Sequence, residues 1–114
     1  MDALEESLRK ALVVPEEYQR KIPPLLLESL VEYVVIGRPT GHFMYAVLVN
    51  DLFQAYAHAD CGSVAAMPFI VKYIFNHLPG NCWGSPEEVG EWLKRGGQYG
   101  REVQRQREME GSKA

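Results

Sequence analysis

A chain of 114 residues and 12.9 kDa is one domain's length, and its 46% apolar and 24% charged residues are ordinary globular proportions that exclude wholesale disorder and fibre. The net charge of −3 and pI near 5.6 argue against general nucleic-acid binding, which needs a basic face. Charge divides the chain into thirds: seven acids and four bases in residues 1–35, two of each in 36–85, six of each in 86–114. So sparsely charged a middle third is expected to form the core and an interface.

In chain order the pattern predicts helices. Asp2 with Glu5 makes a capping box, and Leu4, Leu8 and Leu12 repeat along one stripe. Pro15 interrupts before a short turn at Glu16 and Glu17, and Pro24 opens a helix to Ile36 that Gly37 and Pro39 close. Thr40 is expected to cap one central, buried helix from Gly41 to Ala59, and Ser63 to cap another over Val64–Leu78, with Pro68 kinking or starting it. Ser85-Pro86-Glu87-Glu88 is the strongest local signal, an N-cap followed by a first-position proline and a capping-box glutamate. That helix buries Val89, Trp92 and Leu93 and stops at Gly96-Gly97. The expected architecture is all-α, a self-associating bundle of about five helices. Residues 1–97 form the domain and 98–114 a polar tail or frayed helix.

No membrane contact is expected, because the apolar runs Phe43–Val49 and Val64–Val71 fall well short of the ~20 residues a span needs. The N-terminus lacks the basic and then apolar order of a secretory signal. Cys61 and Cys82 are therefore expected as free thiols in a cytoplasm.

Three places offer chemistry. Gly37-Arg38-Pro39-Thr40-Gly41-His42 sets a guanidinium, a hydroxyl and an imidazole around the free N–H groups of the central helix, a pattern suited to anions. Asn50, Asp51, Gln54 and His58 form a polar stripe on that helix, suited to hydrogen bonding between helices or to a polar ligand. Tyr45 and Trp83 are aromatics placed to stack, Trp83 in the loop Cys82-Trp83-Gly84; the other aromatics, Phe53 and Phe75 among them, read mainly as core. His58-x-x-Cys61 and His77-x4-Cys82 have zinc-ligand chemistry without finger spacing, and Asp51, His58 and Asp60 make a weaker hydrolytic set, so no metal or cofactor is expected. No nucleophile with its base can be named, so no enzyme is expected.

The runs I-P-P-L-L-L-E-S-L, G-R-P-T-G-H-F-M-Y-A-V-L-V-N-D-L, A-H-A-D and C-W-G-S-P-E-E-V-G-E-W lie between Ile22 and Gly97, about two-thirds of the chain. In them the chain resembles small helical proteins of no assigned activity encoded by phages and prophages. The resemblance implies an accessory viral product, with counter-defence as its trade, and carries over no catalytic residue. The first expectation is a non-enzymatic homo-oligomer in the host cytoplasm. It would sequester a small anionic ligand, an immune-signalling nucleotide, through Arg38, Thr40, Gly41, His42, Tyr45, Asn50, Asp51, Gln54, His58 and Trp83. The alternatives are a protein–protein inhibitor of a host defence complex, of anti-CRISPR or anti-restriction type, and a small phage regulatory or structural protein.

Overall fold

The computed structural model describes residues 2–111, and among these it is helical throughout, without strands. In order, the helices are α1 (Ala3–Ala11), α2 (Glu16–Lys21), α3 (Pro24–Ile36), α4 (His42–Leu48), α5 (Leu52–Ala57), α6 (Cys61–His77), α7 (Pro86–Arg95) and α8 (Gly97–Gly111). A 3-10 turn, Gly80–Cys82, joins α6 to α7. The all-α expectation holds, but eight α-helices among the described residues replace the expected five.

Most predicted ends sit where local chemistry puts them. Asp2 accepts from the Glu5 N–H at 2.9 Å, Pro24 opens α3, Ser85 accepts from the Glu88 N–H at 3.2 Å, and Gly37 and Gly96 end their helices with φ of 68° and 84°.

The central helix is the main correction. It breaks at Val49–Asp51, where Asn50 takes a left-handed φ of 65° and the Asp51 N–H reaches back to the Ala46 carbonyl at 2.8 Å. That bond closes a helix end of the Schellman type, for which asparagine is the usual stand-in for glycine. Asp51 then caps α5 by accepting from the Gln54 N–H at 3.1 Å. The chain reverses there, and the His42 and His58 rings at the hairpin's other end stack 5.5 Å apart. Thr40 is not the cap of α4; Gly41 occupies that position, and no side chain bonds there. Likewise Asp60, not Ser63, caps α6: its carboxylate accepts from the Ser63 N–H at 2.7 Å, a bond that holds its pKa below the usual carboxylate value. Pro68 lies inside α6 rather than at its start.

The core gathers Leu30, Tyr33 and Val34 of α3, Met44 and Leu48 of α4, Ile70 and Tyr73 of α6, and Val89 and Trp92 of α7. Two buried bonds fix α3 against the C-W-G-S segment and α7. The Tyr33 hydroxyl donates to the Cys82 carbonyl at 2.6 Å, and Trp92 Nε1 donates to the Tyr33 carbonyl at 2.9 Å. The Gly84 N–H adds a third link, to the Leu48 carbonyl at the end of α4 at 2.7 Å. Cys82-Trp83-Gly84-Ser85 is therefore a joint that ties α3, α4 and α7 together.

Residues 98–114 are expected as tail or frayed helix; of these, 98–111 belong to α8, which starts at Gly97, and 112–114 lie outside the described residues. The first part of α8 crosses α3 at backbone distance. A Cβ on Gly97 would stand 2.6 Å from the Gly37 nitrogen and 2.8 Å from the Val34 carbonyl oxygen. Beyond Val103 the helix is exposed, which helps stretch the molecule to 55 × 29 × 22 Å.

Candidate functional site

The ten sequence-predicted residues do not meet in one cavity. Arg38 turns back along α3 and donates from Nη1 to the Glu32 carboxylate at 3.0 Å, so its charge is already engaged by a carboxylate. Gly41 and the half-buried Thr40 precede α4, whose seven residues offer only a short dipole. His42 and His58 face each other at the open end of the α4–α5 hairpin, both exposed. Tyr45 is exposed on α4, near enough to Tyr33 to add to a rise in that phenol's pKa that burial mainly causes.

At the bend of the hairpin, Asn50 and Trp83 share a recess of about 100 Å³ with Val71 and Phe75. Asp51 lines a neighbouring recess of about 60 Å³ with Leu52 and Met67, while Gln54, though bonded to Asp51 through its backbone, is exposed and lines neither recess. The polar stripe is thus interrupted: Asp51 serves as a cap, and Asn50 as a helix terminus. Trp83 packs its ring 6.0 Å from Phe75, and its buried Nε1 has no hydrogen-bond partner among the described residues.

The histidines and cysteines are likewise dispersed. The His77 ring packs 5.4 Å from Tyr73 and 5.5 Å from Tyr18, inside an aromatic cluster whose Tyr73 hydroxyl bonds the Val13 carbonyl at 3.1 Å. Cys82 is buried, and burial pushes its thiol up to about 12. Cys61 is exposed at the start of α6. Among the described residues no group of three or more His, Cys, Asp or Glu is gathered to hold a metal ion. A thiol-reactive chromophore at pH 8 is therefore expected to modify Cys61 within minutes and Cys82 only after denaturant is added. Prompt modification of both in the folded protein would contradict this burial.

One cationic site lies outside the ten predicted residues. Asn81 of the 3-10 turn, Arg95 at the end of α7, and Arg101, Gln104, Arg105 and Glu108 of α8 line an open groove of about 410 Å³. Residues 101, 104, 105 and 108 share one side of α8 by helical spacing. Arg105 is paired with Glu102, and the Glu108 carboxylate accepts from Gln104 Nε2 at 3.4 Å. Arg95 lies over the Trp92 ring, 5.5 Å from its centroid. Arg95 and Arg101 have no carboxylate within ion-pair distance among the described residues. Two guanidiniums outside any ion pair, beside two amides and with Glu108 as the carboxylate in the lining, present several donors, the chemistry that recognises phosphate or carboxylate. The spacing of Arg101 and Arg105 was a legible signal; the arrival of Arg95 and Asn81 depends on how α8 folds back.

The chain is thus a small all-α domain with an apolar hairpin face and an arginine-lined groove, and no helix among the described residues is long and apolar enough to cross a membrane. No protein-family model matches it, and neither does any curated protein or solved structure.

Proposed function

We propose that this is a phage-encoded, non-enzymatic binding protein that sequesters a small anionic ligand of the nucleotide class in the cytoplasm of the host, acting as a homo-oligomer against host defence. The viral origin rests on the resemblance of the Ile22–Gly97 block. The anionic ligand rests on one observation: Arg95, Arg101 and Arg105 line the 410 Å³ groove against a single carboxylate, Glu108, and neither Arg95 nor Arg101 is ion-paired among the described residues, in a chain of net charge −3. The groove is the better candidate than the Arg38 loop, because Glu32 already occupies that guanidinium at 3.0 Å. A volume of this size suits a small ligand, and bidentate guanidinium bonds suit its phosphates.

The test is native mass spectrometry after incubation with a bacterial nucleotide extract, followed by titration with pyrophosphate. A retained nucleotide-sized mass is expected, with affinity falling about tenfold or more in the Arg95→Gln/Arg101→Ala double variant, as charged hydrogen bonds are lost. Arg38→Ala should bind as the parent does. Loss of binding in Arg38→Ala alone would return the site to the start of α4, and no adduct or pyrophosphate response would reject the ligand reading. A second reading, an inhibitor docking on a host defence protein, is favoured by the apolar side chains that α5 and α6 leave exposed.

A further inference from the structure

We infer that the exposed face of α5 and α6 is the surface on which a second copy of this chain docks. α5 turns only Ala55 inward; Leu52, Phe53 and Tyr56 remain 62%, 85% and 47% exposed. A six-residue helix so weakly anchored, yet built of Leu, Phe and Tyr, has not completed its burial within the monomer. Along α6, Val64, Val71 and Phe75 are exposed at helical spacing. Val71 joins the two sets: it lines the recess holding Leu52 and the recess holding Phe75, both beside Asn50.

Area and charge choose the occupant. From the exposed fractions of these six side chains, the face offers on the order of 650 Å² of apolar surface. That exceeds the patch a typical monomer leaves open and approaches the ~800 Å² each partner contributes to a standard interface. The exposed Lys72, next to Val71 on α6, adds to that area at the margin. The flanking charges are few, Asp51 and Asp60 at the starts of α5 and α6 and Lys72 on α6, whereas the rest of the chain holds most of its 15 acids and 12 bases. A strongly charged partner would find nothing to pair with here. A two-fold apposition suits the face, because each copy's Lys72 is offered to the other's Asp51 while the aromatics interleave. The recesses of about 60 and 100 Å³ are shallow seats of the size one side chain fills, and Phe53 is the side chain that most needs filling one.

The pairing stands apart from the anion groove, so its test uses no ligand. Light scattering on the full chain, across micromolar to millimolar concentration, should report about twice 12.9 kDa. Phe53→Asp and, separately, Phe75→Glu should weaken association about thirtyfold or more, as expected of central interface aromatics. Because Phe53 projects into solvent in the monomer, Phe53→Asp should barely move the thermal midpoint measured at concentrations where the parent is monomeric; Phe75 also packs on Trp83, so Phe75→Glu is compared at matched folded fraction. A parent chain that stays at 12.9 kDa throughout overturns the inference and gives the face to a different protein. A dimer that survives both substitutions also overturns it, since pairing then uses another surface. Pyrophosphate binding in Phe53→Asp, read in parallel, keeps the two readings separable.

Discussion

Gly97→Ala is expected to lower stability by about 3 kcal/mol or more, against a total of only ~5–15 kcal/mol for a domain. Two costs add. Gly97 holds φ at +69°, where an L-residue pays roughly 1–2 kcal/mol. Its new methyl would also meet the Gly37 nitrogen at 2.6 Å and the Val34 and Val35 carbonyl oxygens at 2.8 and 2.9 Å. All three obstacles are backbone, so no rotamer change relieves them, and α8 would have to lift from α3 at a further cost of about 1–3 kcal/mol. The measurement is urea denaturation followed by circular dichroism, with Gly90→Ala as the control. Gly90 lies inside α7 with nothing within 4 Å of its Cβ position, so there alanine should stabilise by roughly 0.5–1 kcal/mol. Equal effects of the two substitutions would show that the α3–α8 crossing is looser than described.

Trp92→Ala should be comparably severe, at about 3–5 kcal/mol, because it empties the largest fully buried side chain of the core. The indole does more than fill space. Its Nε1 donates to the Tyr33 carbonyl at 2.9 Å, its ring lies 6.5 Å from that of Tyr33, and the Arg95 guanidinium lies over the ring. Trp92→Phe retains most of the volume and removes the bond. It should cost only about 1–2 kcal/mol, since the Tyr33 carbonyl still accepts from the Gly37 N–H at 3.0 Å. Trp83→Ala should be milder than Trp92→Ala, because Trp83 is half-buried and its nitrogen makes no bond among the described residues. A denaturant midpoint for Trp92→Ala no lower than that of Trp83→Ala would remove Trp92 from this role.

The parts of the fold that could be read in advance are those decided by a few neighbouring residues. Pro24, Gly37 and the Ser85-Pro86-Glu87-Glu88 cap act within one helical turn, and each stands where its chemistry requires. The break at Asn50 was missed because the apolar run before it suggested a single buried helix. Yet Asn50-Asp51 is itself a stop followed by a start, a left-handed terminus and then a cap. α8 was only half legible, as a tail or a frayed helix, for a different reason. It has no apolar stripe, and much of its order comes from Gly97 fitting against α3 and from pairs such as Glu102–Arg105. The arginine groove combines α7, α8 and the 3-10 turn, so no window of sequence contains it. Helical spacing reads Phe53 and Phe75 as core, yet both are exposed: the turn at Asn50 starts a short α5 that buries only Ala55, and Phe75 lies on the outer side of α6.

The joint at Cys82-Trp83-Gly84-Ser85 bears on how such chains diversify. Two of its links run through its own backbone, the Cys82 carbonyl and the Gly84 N–H, and the third is the Ser85 hydroxyl that caps α7. Of the aromatic on it, only the ring packing with Phe75 reaches the exposed face. This short motif therefore acts as an assembly instruction that does not depend on which side chains stand at Leu52, Phe53 and Arg101. Kinship traced through the motif would then group proteins by how they are built, and their binding habits would be inherited separately, on the side chains that the motif leaves untouched.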